Sequence, residues 1–215
     1  MRNSKDIAVE VPTFLRQGPA DAALTFAFAH GAGAPMDTPF MTFFADGLAD
    51  RGWQVLRFEF PYMAKRRVDG KRRPPDRAPL LLAGWQAVID RLGPERLVIG
   101  GKSMGGRMAS LVAERAGVRG LVCLGYPFHP AGKPERLRTE HLEALSVPTL
   151  ILQGSRDAMG NREEVSGYRL SAGIDLHWAE DGDHDLKPRK ASGRSAEQNW
   201  QEALQALHAF LQRLQ

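Results

Sequence analysis

The 215-residue chain contains a single cysteine, Cys123, so no intrachain disulfide can hold it together. That thiol lies inside the apolar run GLVCLG and is expected to be buried and unreactive. No apolar stretch approaches the roughly 20 residues needed to span a bilayer, and the opening Met-Arg-Asn-Ser-Lys-Asp lacks the apolar segment of a secretory signal. A cytoplasmic location without membrane contact is therefore expected. No His, Cys or carboxylate cluster has metal-ligand spacing, and no helical histidine pair points to zinc, so neither metal nor cofactor is expected. Internal repeats are absent. No nucleic-acid module is present and no aromatics interleave the basic residues, so nucleic acid is not an expected partner.

What is present is ordinary for a folded chain: 43% hydrophobic and 25% charged residues, with a net charge of +4. This excludes intrinsic disorder and fits one well-buried domain over residues 1–215. Apolar runs of strand length occur at LTFAFAH (24–30), WQVLRFEF (53–60), RLVIGG (96–101), GLVCLG (120–125), PTLILQG (148–154) and IDLHWAE (174–180). Most are apolar throughout, as parallel strands covered on both faces are. Residues 7–15 are a further edge-strand candidate, weakened by Pro12. Helical spacing fills the gaps. Thr38-Pro39 caps a face of Phe40, Phe43, Phe44 and Leu48; Leu81, Trp85, Val88, Ile89 and Leu92 form a second. Met108, Leu111 and Val112 predict a third helix ending at Gly117, and Leu204 to Leu214 a last one. Alternating strands and helices predict an α/β fold with a mostly parallel central sheet and helices on both faces.

The stretch GGKSMGGR, residues 100–107, has two readings. A phosphate-binding P-loop requires glycine where Arg96 stands and a flexible loop where Leu97-Val98-Ile99 reads as buried strand. Gly101-Lys102-Ser103-Met104-Gly105 instead matches G-x-S-x-G between a strand and a helix, the setting of a nucleophile elbow. A serine hydroxyl needs a base, an orienting carboxylate and an oxyanion hole to act as a nucleophile. In an open α/β sheet such groups project from loops at the carboxyl ends of strands. Asp157 follows one such strand and His184 the next, in the chain order serine, acid, histidine. Asp181, Asp183 and Asp185 flank the histidine too closely to orient it. The oxyanion hole is expected from the Met104 N–H and the Ala32 N–H, with Gly31 and Gly33 shaping the AHGAGAP turn.

The motifs AHGAGAP, FEFPYM, GGKSMGGR, LILQGSRDAMG and GDHDL resemble small α/β-hydrolases related to dienelactone hydrolases, in the group with testis-expressed and chromatin-complex (NSL subunit) relatives. The resemblance covers roughly residues 20 to 213 and implies an α/β-hydrolase fold without a large cap domain. Dienelactone hydrolases carry a cysteine nucleophile; here the position is Ser103, so lactone chemistry does not carry over.

Residues 65–77, KRRVDGKRRPPDR, hold seven basic residues against two acidic ones. They are read as a long loop at the catalytic edge, either a flap or a solvated surface. Tyr62 and Met63 at its start, together with Lys102 and His129, are candidate substrate-lining residues, and Glu59 is expected to pair with an arginine. The expected activity is hydrolysis of a small acyl ester or thioester through an acyl-enzyme, by a monomer or homodimer. The alternative is a catalytically quiet relative that binds a protein partner.

Overall fold

A computed structural model describes residues 9–215. Seven strands form one sheet: β1 (Phe14–Gln17), β2 (Thr25–Ala29), β3 (Gln54–Phe58), β4 (Leu97–Lys102), β5 (Gly120–Leu124), β6 (Thr149–Gly154) and β7 (Ile174–Ala179). Their order is β1-β3-β2-β4-β5-β6-β7. Only β1 runs antiparallel to its neighbour. Side chains alternate between the two faces. Ala27, Ile99, Leu121, Cys123 and Ile151 enter one core, and Phe26, Phe28, Val98, Val122, Leu124, Leu150 and Leu152 enter the other. Such two-sided burial is why these strands are apolar at nearly every position.

The helices are α1 (Pro39–Ala49), α2 (Pro61–Asp69), α3 (Ala78–Leu92), α4 (Met104–Ser110), α5 (Ala113–Ala116), α6 (Arg162–Ser166) and α7 (Ala196–Arg213). Phe40, Phe44 and Leu48 of α1 pack with Leu204, Leu207 and Phe210 of α7 on one face. Leu81, Trp85 and Val88 of α3 pack with Met108 of α4 on the other.

Three expectations are corrected. The basic loop begins as a helix: Pro61 supplies a first-turn proline, and Gly70, at φ 70°, ends α2 in the left-handed region. Only residues 70–77 are irregular. The edge strand lies at Phe14–Gln17, beyond Pro12; residues 7 and 8 lie outside the described region. The helix expected through Val112 breaks at Leu111. There the Ser110 hydroxyl donates to the Arg107 carbonyl, and the Val112 N–H bonds three residues back to Ala109.

The sheet order sets the site. β2 sits between β3 and β4, so successive crossovers leave it in opposite directions and open a crevice at the strands' carboxyl ends. Ala29 is level with Gly101. The loops after β2 and β4 therefore emerge side by side.

Candidate active site

Ser103 caps the start of α4 with φ 51° and ψ −115°, a region that costs an ordinary residue about 1–3 kcal/mol. Its neighbours explain how the turn fits. A Cβ on Gly105 would lie 2.5 Å from the His30 carbonyl oxygen, and one on Gly101 would lie 2.6 Å from that of Ala29. Close contact with β2, rather than turn freedom alone, demands glycine at both positions.

Three side chains from three loops converge here. His184 Nε2 lies 2.8 Å from Ser103 Oγ, and His184 Nδ1 lies 2.7 Å from Asp157 Oδ2. Because the carboxylate accepts from Nδ1–H, the Nε2 lone pair faces the serine hydroxyl. To get there the loop after β7 crosses the ends of β6 and β5. A side chain on Gly154 would collide with the Asp183 carbonyl, and one on Gly125 would come within 2.7 Å of the His184 carbonyl oxygen.

Asp157 is fully buried, and its charge is met by donors. Oδ1 accepts from the Met159 N–H at 2.8 Å, and Oδ2 also accepts from Gln153 Nε2 at 3.0 Å. Gln153, at the end of β6, further bonds the Tyr126 N–H and the Gly160 carbonyl. The flanking aspartates have other partners: Asp181 pairs with Arg156 and Arg189, and Asp183 accepts from the Asp185 and Lys187 amides. Lys102 Nζ donates to the His184 carbonyl at 2.7 Å and lies 3.3 Å from Asp185 Oδ1. Burial lowers its pKa despite the opposing pull of Asp185.

The cleft over Ser103 encloses about 420 Å³ and is lined mainly by apolar groups. Gly31, Ala32, Gly33, Lys102 and His184 line it, with Phe40 and Trp200 on the wall. Met104 is the first residue of α4, so its amide is one of those left without a partner inside the helix.

Three of the residues expected to line substrate, Tyr62, Met63 and His129, do not line the cleft. Met63 is buried in the core, and His129 is buried against the Pro130 carbonyl and Glu164. Tyr62 is also buried and acts on the loop from behind, its hydroxyl donating to the Ala32 carbonyl at 2.9 Å. Helix α2 adds Arg66, which donates to the Gly33 carbonyl, and Arg67, which bridges Glu59 and Asp37. A residue not picked out from the sequence, His30, completes the support. Its Nε2 accepts from the Phe60 N–H and its Nδ1 donates to the Gly31 carbonyl; burial lowers its pKa, which keeps it neutral. Among the described residues no group of three or more His, Cys, Asp or Glu could hold a metal ion.

A serine on a strained strand-to-helix turn, faced by a histidine and a buried carboxylate on a mostly parallel sheet, has the setting of a nucleophile elbow in an α/β-hydrolase fold. The chain is a member of the alpha/beta hydrolase domain family, whose description residues 10–212 match. Among solved structures it is similar to an α/β serine hydrolase homologue from Coxiella burnetii, with 18% identity, a TM-score of 0.69, and coverage of 97% of this chain and 98% of the other. Est1E from Butyrivibrio proteoclasticus, solved with ferulic acid bound, gives 15% identity and a TM-score of 0.70 over 94% of both chains. A dienelactone hydrolase from Anabaena variabilis gives 22% and 0.64 over 88% of both. At these identities the likeness is one of fold. No helix among the described residues is long and apolar enough to cross a membrane.

Proposed function

We propose that this protein is a serine esterase acting on small carboxylic esters or thioesters. The continuous relay from Asp157 through His184 to Ser103 carries the reading. Ser103 Oγ attacks the acyl carbon as His184 Nε2 takes its proton, and the Met104 and Ala32 amides receive the developing oxyanion. The imidazolium then protonates the leaving alcohol or thiol, and an acyl-enzyme remains. Water attacks it with His184 again as base, which releases the acid and restores the serine. Asp157 holds Nδ1–H and stabilises the charged ring. The esterase neighbours support the reading, as does the absence of a cap over a shallow cleft. The resemblance to the testis-expressed and chromatin-complex group, a cytoplasmic setting and a monomer or homodimer complete the proposal.

Labelling with a fluorophosphonate probe tests it. One adduct per chain is expected, absent from Ser103→Ala, and turnover of a p-nitrophenyl ester should fall at least about 1000-fold in that variant. Asp157→Asn should cost about 10,000-fold through loss of the correct tautomer. A wild-type protein that is folded yet neither labels nor turns over would point to the partner-binding alternative.

A further inference from the structure

Among the described residues Arg67, Arg73, Arg156, Arg162, Arg169, Arg189, Arg194 and Arg213 each reach a carboxylate. Arg107, Arg136 and Arg138 differ. Among the described residues none of their guanidinium groups forms an ion pair, yet all three line one cleft of about 500 Å³. Arg107 projects from α4, and the other two come from the segment after β5. The Nε of Arg107 is buried without a hydrogen-bond partner. A buried, charged donor left unpaired is expensive, and its natural remedy is an acceptor.

The local charge is unbalanced. Glu135 is the one carboxylate lining the cleft, which leaves two excess positive charges. Burial and then the charge of Arg107 lower the pKa of Arg138, and the same two causes in the same order lower that of His141. Guanidinium forks match the tetrahedral oxygens of phosphate with paired hydrogen bonds. The excess of two charges equals that of a phosphate dianion.

We propose that this cleft is an anion site that binds a phosphate dianion. It shares no lining residue with the cleft over Ser103. The phosphate belongs either to a free ligand or to a distal part of the ester that Ser103 attacks. Arg107 stands four residues beyond Ser103, about one helical turn away.

Calorimetric titration of the full chain with inorganic phosphate at pH 8, against sodium chloride at equal ionic strength, tests the site. Saturable one-to-one binding is expected, weakened at least tenfold in Arg107→Gln and Arg136→Gln, with turnover of a neutral acetate ester unchanged in both. Phosphate heats no different from those of chloride, or variants that bind as wild type, would overturn the proposal. Should Arg107→Gln fail to fold, the exposed Arg136→Gln decides. The source follows from comparing a neutral ester with the same ester bearing a phosphomonoester. Loss of kcat/KM in Arg136→Gln confined to the second places the phosphate on the substrate, and equal values place it on a separate ligand. Absence of turnover with either ester would defeat the esterase reading while calorimetry still decides the anion site.

Discussion

Gln153 is a polar side chain at the end of an apolar strand, and its position gives it work in four directions. Through its amide it holds the Asp157 carboxylate, and through its carbonyl it accepts from the Tyr126 N–H, all without solvent. Gln153→Met keeps the volume but leaves a buried amide and one carboxylate oxygen short of partners. The expected cost is about 1–3 kcal/mol of stability, read as a lower urea midpoint, together with a fall in kcat at little-changed KM. Nothing in the sequence marked this residue beyond a lone glutamine in LILQG, and His30 was equally silent in AHGAGAP. Both act through contacts made only after folding. His141 supplies a pH effect at the same scale. Burial, then Arg107, lower its pKa from 6.5 to about 4. The unfolded chain therefore takes up a proton that the folded chain resists, and stability falls as pH drops from about 6.5 to about 4. His30 and His177, both lowered by burial, act in the same sense. Chemical denaturation at pH 7 and pH 5 should show this loss, reduced in His141→Gln.

Among the elements, the buried strands were legible because two-sided burial leaves a continuous apolar signature, and α1 and α7 because each presents one apolar face. Helix α2 was not: only Tyr62 and Met63 of its nine residues are buried, and its basic residues hid the signals at Pro61 and Gly70. It nevertheless fixes the loop after β2 through Tyr62, Arg66 and Arg67. The edge strand β1 was misplaced for a similar reason, since its half-exposed residues carry no strong pattern. The strand β4 to helix α4 turn was read correctly from glycine spacing, and the contact distances explain why. Gly105→Ala would press a methyl group on the His30 carbonyl and displace the loop that carries Ala32. A misplacement on the order of 1 Å at a reacting centre costs about 100-fold. Steady-state ester hydrolysis by the folded variant should show that loss in kcat.

At the scale of the whole molecule, Asn199 ties α7 to the loop that carries His184. This buried amide donates to the carbonyls of Glu180 and Leu186, on either side of His184, at 2.9 and 2.8 Å. Trp200, its neighbour, donates to the carbonyl of Asp185. Asn199→Leu strands two carbonyls and frees the loop, so both the melting temperature and kcat should fall, while fluorophosphonate labelling slows rather than vanishes. Ser103 thus precedes His184 by 81 residues, and α7, which holds the loop of His184, follows both. Under the proposed mechanism, the nucleophile is synthesised long before the base that would deprotonate it. On that mechanism a nascent chain carries an unarmed serine, and the onset of ester cleavage would serve as a clock for the completion of folding.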